Sequence, residues 1–134
     1  MTTVTERALI AVAALLLSAC APEPTLPVGA MRFDPPERFR TLWAETEACS
    51  GKQRPFSAVS WYQVPGMWEV TMYDGRQVAA FYDLRRDIVV IAGAYMTSDP
   101  LIRHESLHAI LDRPGHPVEF DLCNLRLNES QLAS

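Results

Sequence analysis

The sequence predicts an α+β domain over residues 34–123, a small twisted sheet of three or four strands packed against two helices. Three observations predict it. Phe39, Leu42, Trp43 and Thr46 recur at helical spacing. Four short runs rich in β-formers follow, at 57–64, 68–73, 77–82 and 88–92, set apart by turn signals. Then 100–112 runs without an interior proline or glycine and carries Leu101, Leu107, Ile110 and Leu111 for an apolar side.

The segment 1–19 does not read as part of that domain. A short charged start is followed by the apolar run 8–17 and then by small residues. This is the layout of a secretory signal. Ten apolar residues are too few for a spanning helix, which needs about 20. Leu17-Ser18-Ala19-Cys20 resembles a bacterial lipobox, which implies lipidation of Cys20 as the first residue of the mature chain. Residues 20–33, with Pro22, Pro24 and Pro27, read as a tether.

Asp34-Pro35 reads as an N-cap with proline at the first helical position, and Ser50-Gly51 as that helix's end. The runs flanking Pro65-Gly66 read as a hairpin or as adjacent strands, and Asp74-Gly75 as a turn. Arg85-Arg86-Asp87 reads as a solvated turn. Asp99-Pro100 repeats the cap-plus-proline pattern, and Arg113-Pro114-Gly115 breaks the second helix. Residues 116–123 suit one more short helix, and 124–134 read as a polar tail that frays. Trp43, Trp61 and Trp68 read as core residues.

The chain has 12 basic and 16 acidic residues, a net charge of −4, and no basic patch. That argues against nucleic acid as a partner. The membrane contact expected is the lipid at Cys20. Ala21 follows it in place of the Asp that holds enteric-type lipoproteins in the inner membrane, which favours the periplasmic side of an outer membrane. With Cys20 assigned, Cys49 and Cys123 are left and are expected to pair outside the cytoplasm. Such a bond closes a loop of about 75 residues, worth roughly 4 kcal/mol in the chain-entropy account.

All three histidines lie between His104 and His116. His104 and His108 are four apart on the second helix, so both imidazoles project from one face. There they can share one zinc ion at about 2.0–2.1 Å each. Glu105 is turned about 100° from His104 round the helix. It can serve the attacking water without binding the metal itself. A catalytic zinc has three protein ligands and one open position. His116, brought back by the 113–115 turn, leads for the third place, with Glu119 and Asp121 as rivals.

His104-Glu105-Ser106-Leu107-His108, with Gly115-His116-Pro117-Val118-Glu119-Phe120 after it, resembles the active-site stretch of small one-domain zincin metallopeptidases. The resemblance covers 88–123. It implies His104, His108 and His116 as zinc ligands, a catalytic Glu105, and a peptide or protein substrate. It also implies an edge strand just before the metal helix, the position that Ile88–Ala92 occupies. The metzincin pattern is absent, since Leu111 and Pro114 stand where it has Gly and His. The rival expectations are a zinc-binding lipoprotein without catalysis and an interaction module with incidental histidines.

Overall fold

The computed structural model describes residues 25–128. The signal-like segment, Cys20, the start of the tether and residues 129–134 lie outside the described residues. The elements in chain order are β1 (Met31–Phe33), α1 (Glu37–Ser50), β2 (Ser60–Val64), β3 (Val70–Thr71), β4 (Gln77–Val78), β5 (Ala80–Asp83), β6 (Ile88–Ala92), α2 (Asp99–Leu111) and α3 (Val118–Leu122). Short 3-10 turns lie at Phe56–Ala58 and Gly93–Tyr95.

The architecture is α+β. A four-stranded mixed sheet has the order β1-β2-β6-β5, and β3 and β4 form a separate two-stranded sheet. β2 and β6 run parallel, while the outer strands are antiparallel to their neighbours. Strand alternation gives the main sheet two apolar faces. Trp61, Val89 and Ile91 join Phe39, Leu42, Trp43, Ile102 and Ala109 of the two helices in one core. Val64, Phe81, Ile88 and Val90 meet Val70 of β3 on the other face. A smaller cluster of Leu107, Phe120, Cys123 and Leu125 ties α3 to α2.

Cys49 and Cys123 are disulfide-bonded, with Cα atoms 5.3 Å apart. The bond joins the end of α1 to the end of α3. No helix among the described residues is long and apolar enough to cross a membrane.

The structure corrects several expectations. Ile88–Ala92 is not an edge strand: β6 lies between β2 and β5, and all five of its residues are buried. Five consecutive apolar side chains need cover on both faces, which a central strand provides. The edge on this side of the sheet is β5. The strands flanking Pro65-Gly66 do not pair with each other: β2 pairs with β1 and β6, and β3 pairs with β4 across Asp74-Gly75. The run 77–82 divides at Ala79, because β4 bonds to β3 while β5 bonds to β6.

The first helix begins at Glu37 after Pro36 in an extended conformation, with no side-chain cap from Asp34. A residue before proline is pushed out of the helical region, and the Pro35-Pro36 pair holds the chain extended past Asp34. The sheet itself begins earlier, at Met31, inside the stretch expected to be tether. At the other end Leu125 is 2% exposed, so the fold continues past Cys123. Trp43 and Trp61 are buried, but Trp68 is 69% exposed and only meets Tyr95 edge-on.

Candidate metal centre

Asp99 is not the cap of α2: Ser98 precedes the helix in an extended conformation with no side-chain cap, and Asp99 and Pro100 fall in the first turn, where an acid and a proline are both favoured. It stops at Asp112, which takes the left-handed conformation at φ 50°. In between, His104 and His108 stand one turn apart with ring centroids separated by 4.9 Å. The chain then reverses through Gly115, whose φ of 79° suits glycine, and returns His116 to the same face. His116 Nε2 lies 3.2 Å from His104 Nε2. One ligand atom from each of the three rings falls within 4.8 Å of the others. Among the described residues no other group of three His, Cys, Asp or Glu side chains converges in this way.

Two carbonyls orient the rings. His104 Nδ1 is 2.6 Å from the Leu125 carbonyl oxygen, and His108 Nδ1 is 3.2 Å from that of Arg113. A carbonyl only accepts, so each Nδ1 carries the proton and each Nε2 keeps its lone pair. Phe120 is fully buried beneath all three rings, with centroid distances of 5.0, 4.7 and 4.7 Å to His104, His108 and His116. Burial pushes His104 and His108 down to about 4, and it also lowers His116. All three therefore favour the neutral form that a metal requires.

Glu105 points away from the ligand face towards β5 and is 4% exposed. Burial pushes its carboxyl up to about 8, opposed by a backbone hydrogen bond from Tyr82. Its Oε2 has no hydrogen-bond partner. Such an orphan is costly in a protein interior, and this one belongs to the same cleft as the three histidines.

These groups lie in a cleft of about 440 Å³ walled by β5, the β3–β4 hairpin, the β5–β6 turn and the 113–116 reversal. A concavity of about 470 Å³ between Arg32, Arg40, Phe56 and Trp61 contains no histidine and stands apart from this chemistry. Glu119 faces Lys52 at 3.8 Å, and Asp121 is paired with Arg126, so neither rival ligand joins the cluster. Of the tyrosines, Tyr73 and Tyr82 line the cleft, and Tyr95 does not.

Sequence reasoning missed the Leu125 carbonyl and the Tyr82 backbone donor. A main-chain atom leaves no mark in residue type. The one available signal was the alternation of Leu125 and Leu127 within the presumed tail. Compared with known proteins, the chain matches no family model, no curated protein and no solved structure.

Proposed function

We propose that the protein is a zinc-dependent peptidase with a zincin-like fold, anchored to the bacterial cell envelope through a lipid on Cys20. The observation that carries this reading is the convergence of His104, His108 and His116 in the cleft that also holds the unpartnered Oε2 of the buried Glu105. The residues fit the metal. Two ligands about 2.0–2.1 Å from one tetrahedral ion sit about 3.4 Å apart. The Nε2 atoms of His104 and His116 are 3.2 Å apart. Three neutral imidazoles suit zinc and leave a fourth position open.

When bound, zinc supplies a Lewis acid that polarises the scissile carbonyl and acidifies water. The protein's own residues do the rest. Beside a bound dication the Glu105 carboxyl, raised by burial in the metal-free site, would ionise. As a carboxylate it takes a proton from the attacking water at Oε2, and the water oxygen bonds to the carbonyl carbon. As the C–N bond breaks, Glu105 returns that proton to the leaving amine. β5 is an edge strand bordering the cleft, and an extended peptide can pair with such an edge. Phe120 and the two orienting carbonyls hold the imidazoles in place.

The test compares Glu105→Gln with His116→Ala on zinc-loaded protein and an unbiased peptide library. Gln keeps the size of the side chain but cannot take the proton. It is expected to lose about 10²–10⁴-fold in rate with zinc retained. His116→Ala is expected to lose zinc affinity and activity together. Undiminished cleavage by the Gln variant would refute the mechanism.

A further inference from the structure

Three arginines from three separate elements line the cleft that holds the histidines. Arg76 belongs to the turn between β3 and β4, Arg85 to the turn between β5 and β6, and Arg113 to the reversal after α2. All three are exposed. The two acids that line the cleft are both withdrawn from its surface. Asp83 is 5% exposed and is held by Arg86 at 2.9 Å, and Glu105 is 4% exposed. Asp74 neutralises Arg76 at 2.7 Å, whereas Arg85 and Arg113 have no ion pair among the described residues. Asp112, next to Arg113, is engaged by the Tyr82 hydroxyl and faces Arg54.

This sign of charge is against the composition. The chain carries 16 acids and 12 bases, so an arbitrary stretch of surface leans acidic. A wall with two unpaired guanidinium groups and no exposed acid concentrates negatively charged ligands at the mouth of the cleft. Guanidinium groups also bind carboxylates through paired N–H donors. The same walls carry Tyr73 and Leu84, both largely exposed, which offer apolar contact beside the charges.

We infer that the cleft takes an extended acidic peptide, with Arg85 and Arg113 binding a carboxylate close to the bond that lies over the histidines. The inference rests on the peptidase reading for the word peptide, but not for the preference in charge. The carboxylate can come from an Asp or Glu side chain or from a free C-terminus.

Binding separates the two ideas. The full-length Glu105→Gln protein is loaded with zinc, and its affinity is measured by fluorescence anisotropy for labelled peptides of one length. One peptide carries a central Glu, a second has Gln there, and a third has Lys. Each is made with a free and with an amidated C-terminus, which tells the two carboxylate sources apart. The acidic peptide is expected to bind about tenfold tighter than its Gln counterpart at low salt, and the gap should shrink in 0.5 M NaCl, where screening is strong (about 4 Å). In the Arg85→Gln/Arg113→Gln protein the gap should largely close. The single variants guard against a folding defect in the double, and each should close part of it. Equal binding of Glu and Gln peptides, or a gap that survives loss of both arginines, overturns the inference. Hydrolysis by the parent protein is read separately. A clear acidic preference without cleavage of any peptide would leave the acidic cleft standing and remove the peptidase.

Discussion

Phe120 shows how much a single residue does at this site. Its ring is fully buried and lies within 5.0 Å, centroid to centroid, of all three imidazoles. It fixes their spacing from below while the Leu125 and Arg113 carbonyls fix the rotation of His104 and His108. Phe120→Leu nearly conserves volume and should cost under about 1.5 kcal/mol in stability. It removes the flat surface, so zinc affinity should fall about tenfold, as supporting contacts around a metal commonly do. Denaturation of the metal-free protein and competition for zinc against a coloured chelator give the two values. Unchanged zinc affinity would reduce Phe120 to a packing residue. At this scale the sequence was readable wherever side-chain type carries the chemistry. Spacing brought out His104, Glu105 and His108, and the reversal brought out His116. It was unreadable where a backbone atom acts, as at Leu125 and Tyr82. Gly93 belongs to the same class. A Cβ there would come within 2.9 Å of the Val64 carbonyl oxygen and the Gly66 nitrogen, a clash with rigid backbone. Gly93→Ala should therefore lower stability by about 1–3 kcal/mol, seen as an earlier denaturant midpoint.

The elements are clamped where β5 ends, β6 begins and α2 ends. Arg54, 18% exposed at its side chain, donates to the Tyr82 hydroxyl, to Asp87 and to the carbonyl of Ala109. The single hydroxyl proton of Tyr82 is shared between Asp87 and Asp112, whose Oδ1 atoms lie 2.7 and 2.8 Å away. The turn expected to be merely solvated thus locks the hairpin of β5 and β6 onto α2. Hydrogen bonds from Tyr82 and then from Arg54 hold the Asp87 carboxyl below its ordinary range. A carboxyl whose folded value is depressed contributes stability above its unfolded value, about 3.9. That contribution is lost as pH falls through the lower, folded value. Asn tolerates the left-handed conformation that Asp87 adopts at φ 52°, so Asp87→Asn tests the charge alone. The variant should be less stable than the parent at pH 7, and the difference should narrow towards pH 2. Denaturant midpoints across that range check it, and a constant difference would mean the charge is not involved. The strand order escaped the sequence for a related reason. Alternation and turn residues reveal that a strand exists, but its neighbours are chosen by distant surfaces. Only β6, apolar at every position, carried a hint of its central place.

At the scale of the whole molecule, the disulfide, the tail and the histidine cluster form one unit. His116, Phe120 and Leu125 all belong to the segment that follows α2. That segment is held to the rest of the fold by the Cys49–Cys123 bond, by Leu125 in the cluster with Leu107, and by Arg126, which reaches the His116 carbonyl at 2.7 Å. The helix supplies two of the histidines, and the segment supplies the third, the floor and both orienting carbonyls, those of Arg113 and Leu125. Loosening the segment should therefore weaken metal binding even while α2 stays folded. Cys49→Ser/Cys123→Ser removes a closure worth roughly 4 kcal/mol, so the metal-free variant should melt well below the parent. On the proposed reading zinc needs the folded arrangement of the three histidines, so it should raise the melting temperature of both proteins. The decisive quantity is the zinc affinity of the variant, measured at a temperature where its circular dichroism still reports the native helices. A markedly weaker affinity there shows that the disulfide acts on the site through the segment. An affinity equal to that of the parent would show that the disulfide stabilises the fold without shaping the metal centre, and that the contacts of Leu125 and Arg126 suffice to hold His116 in place.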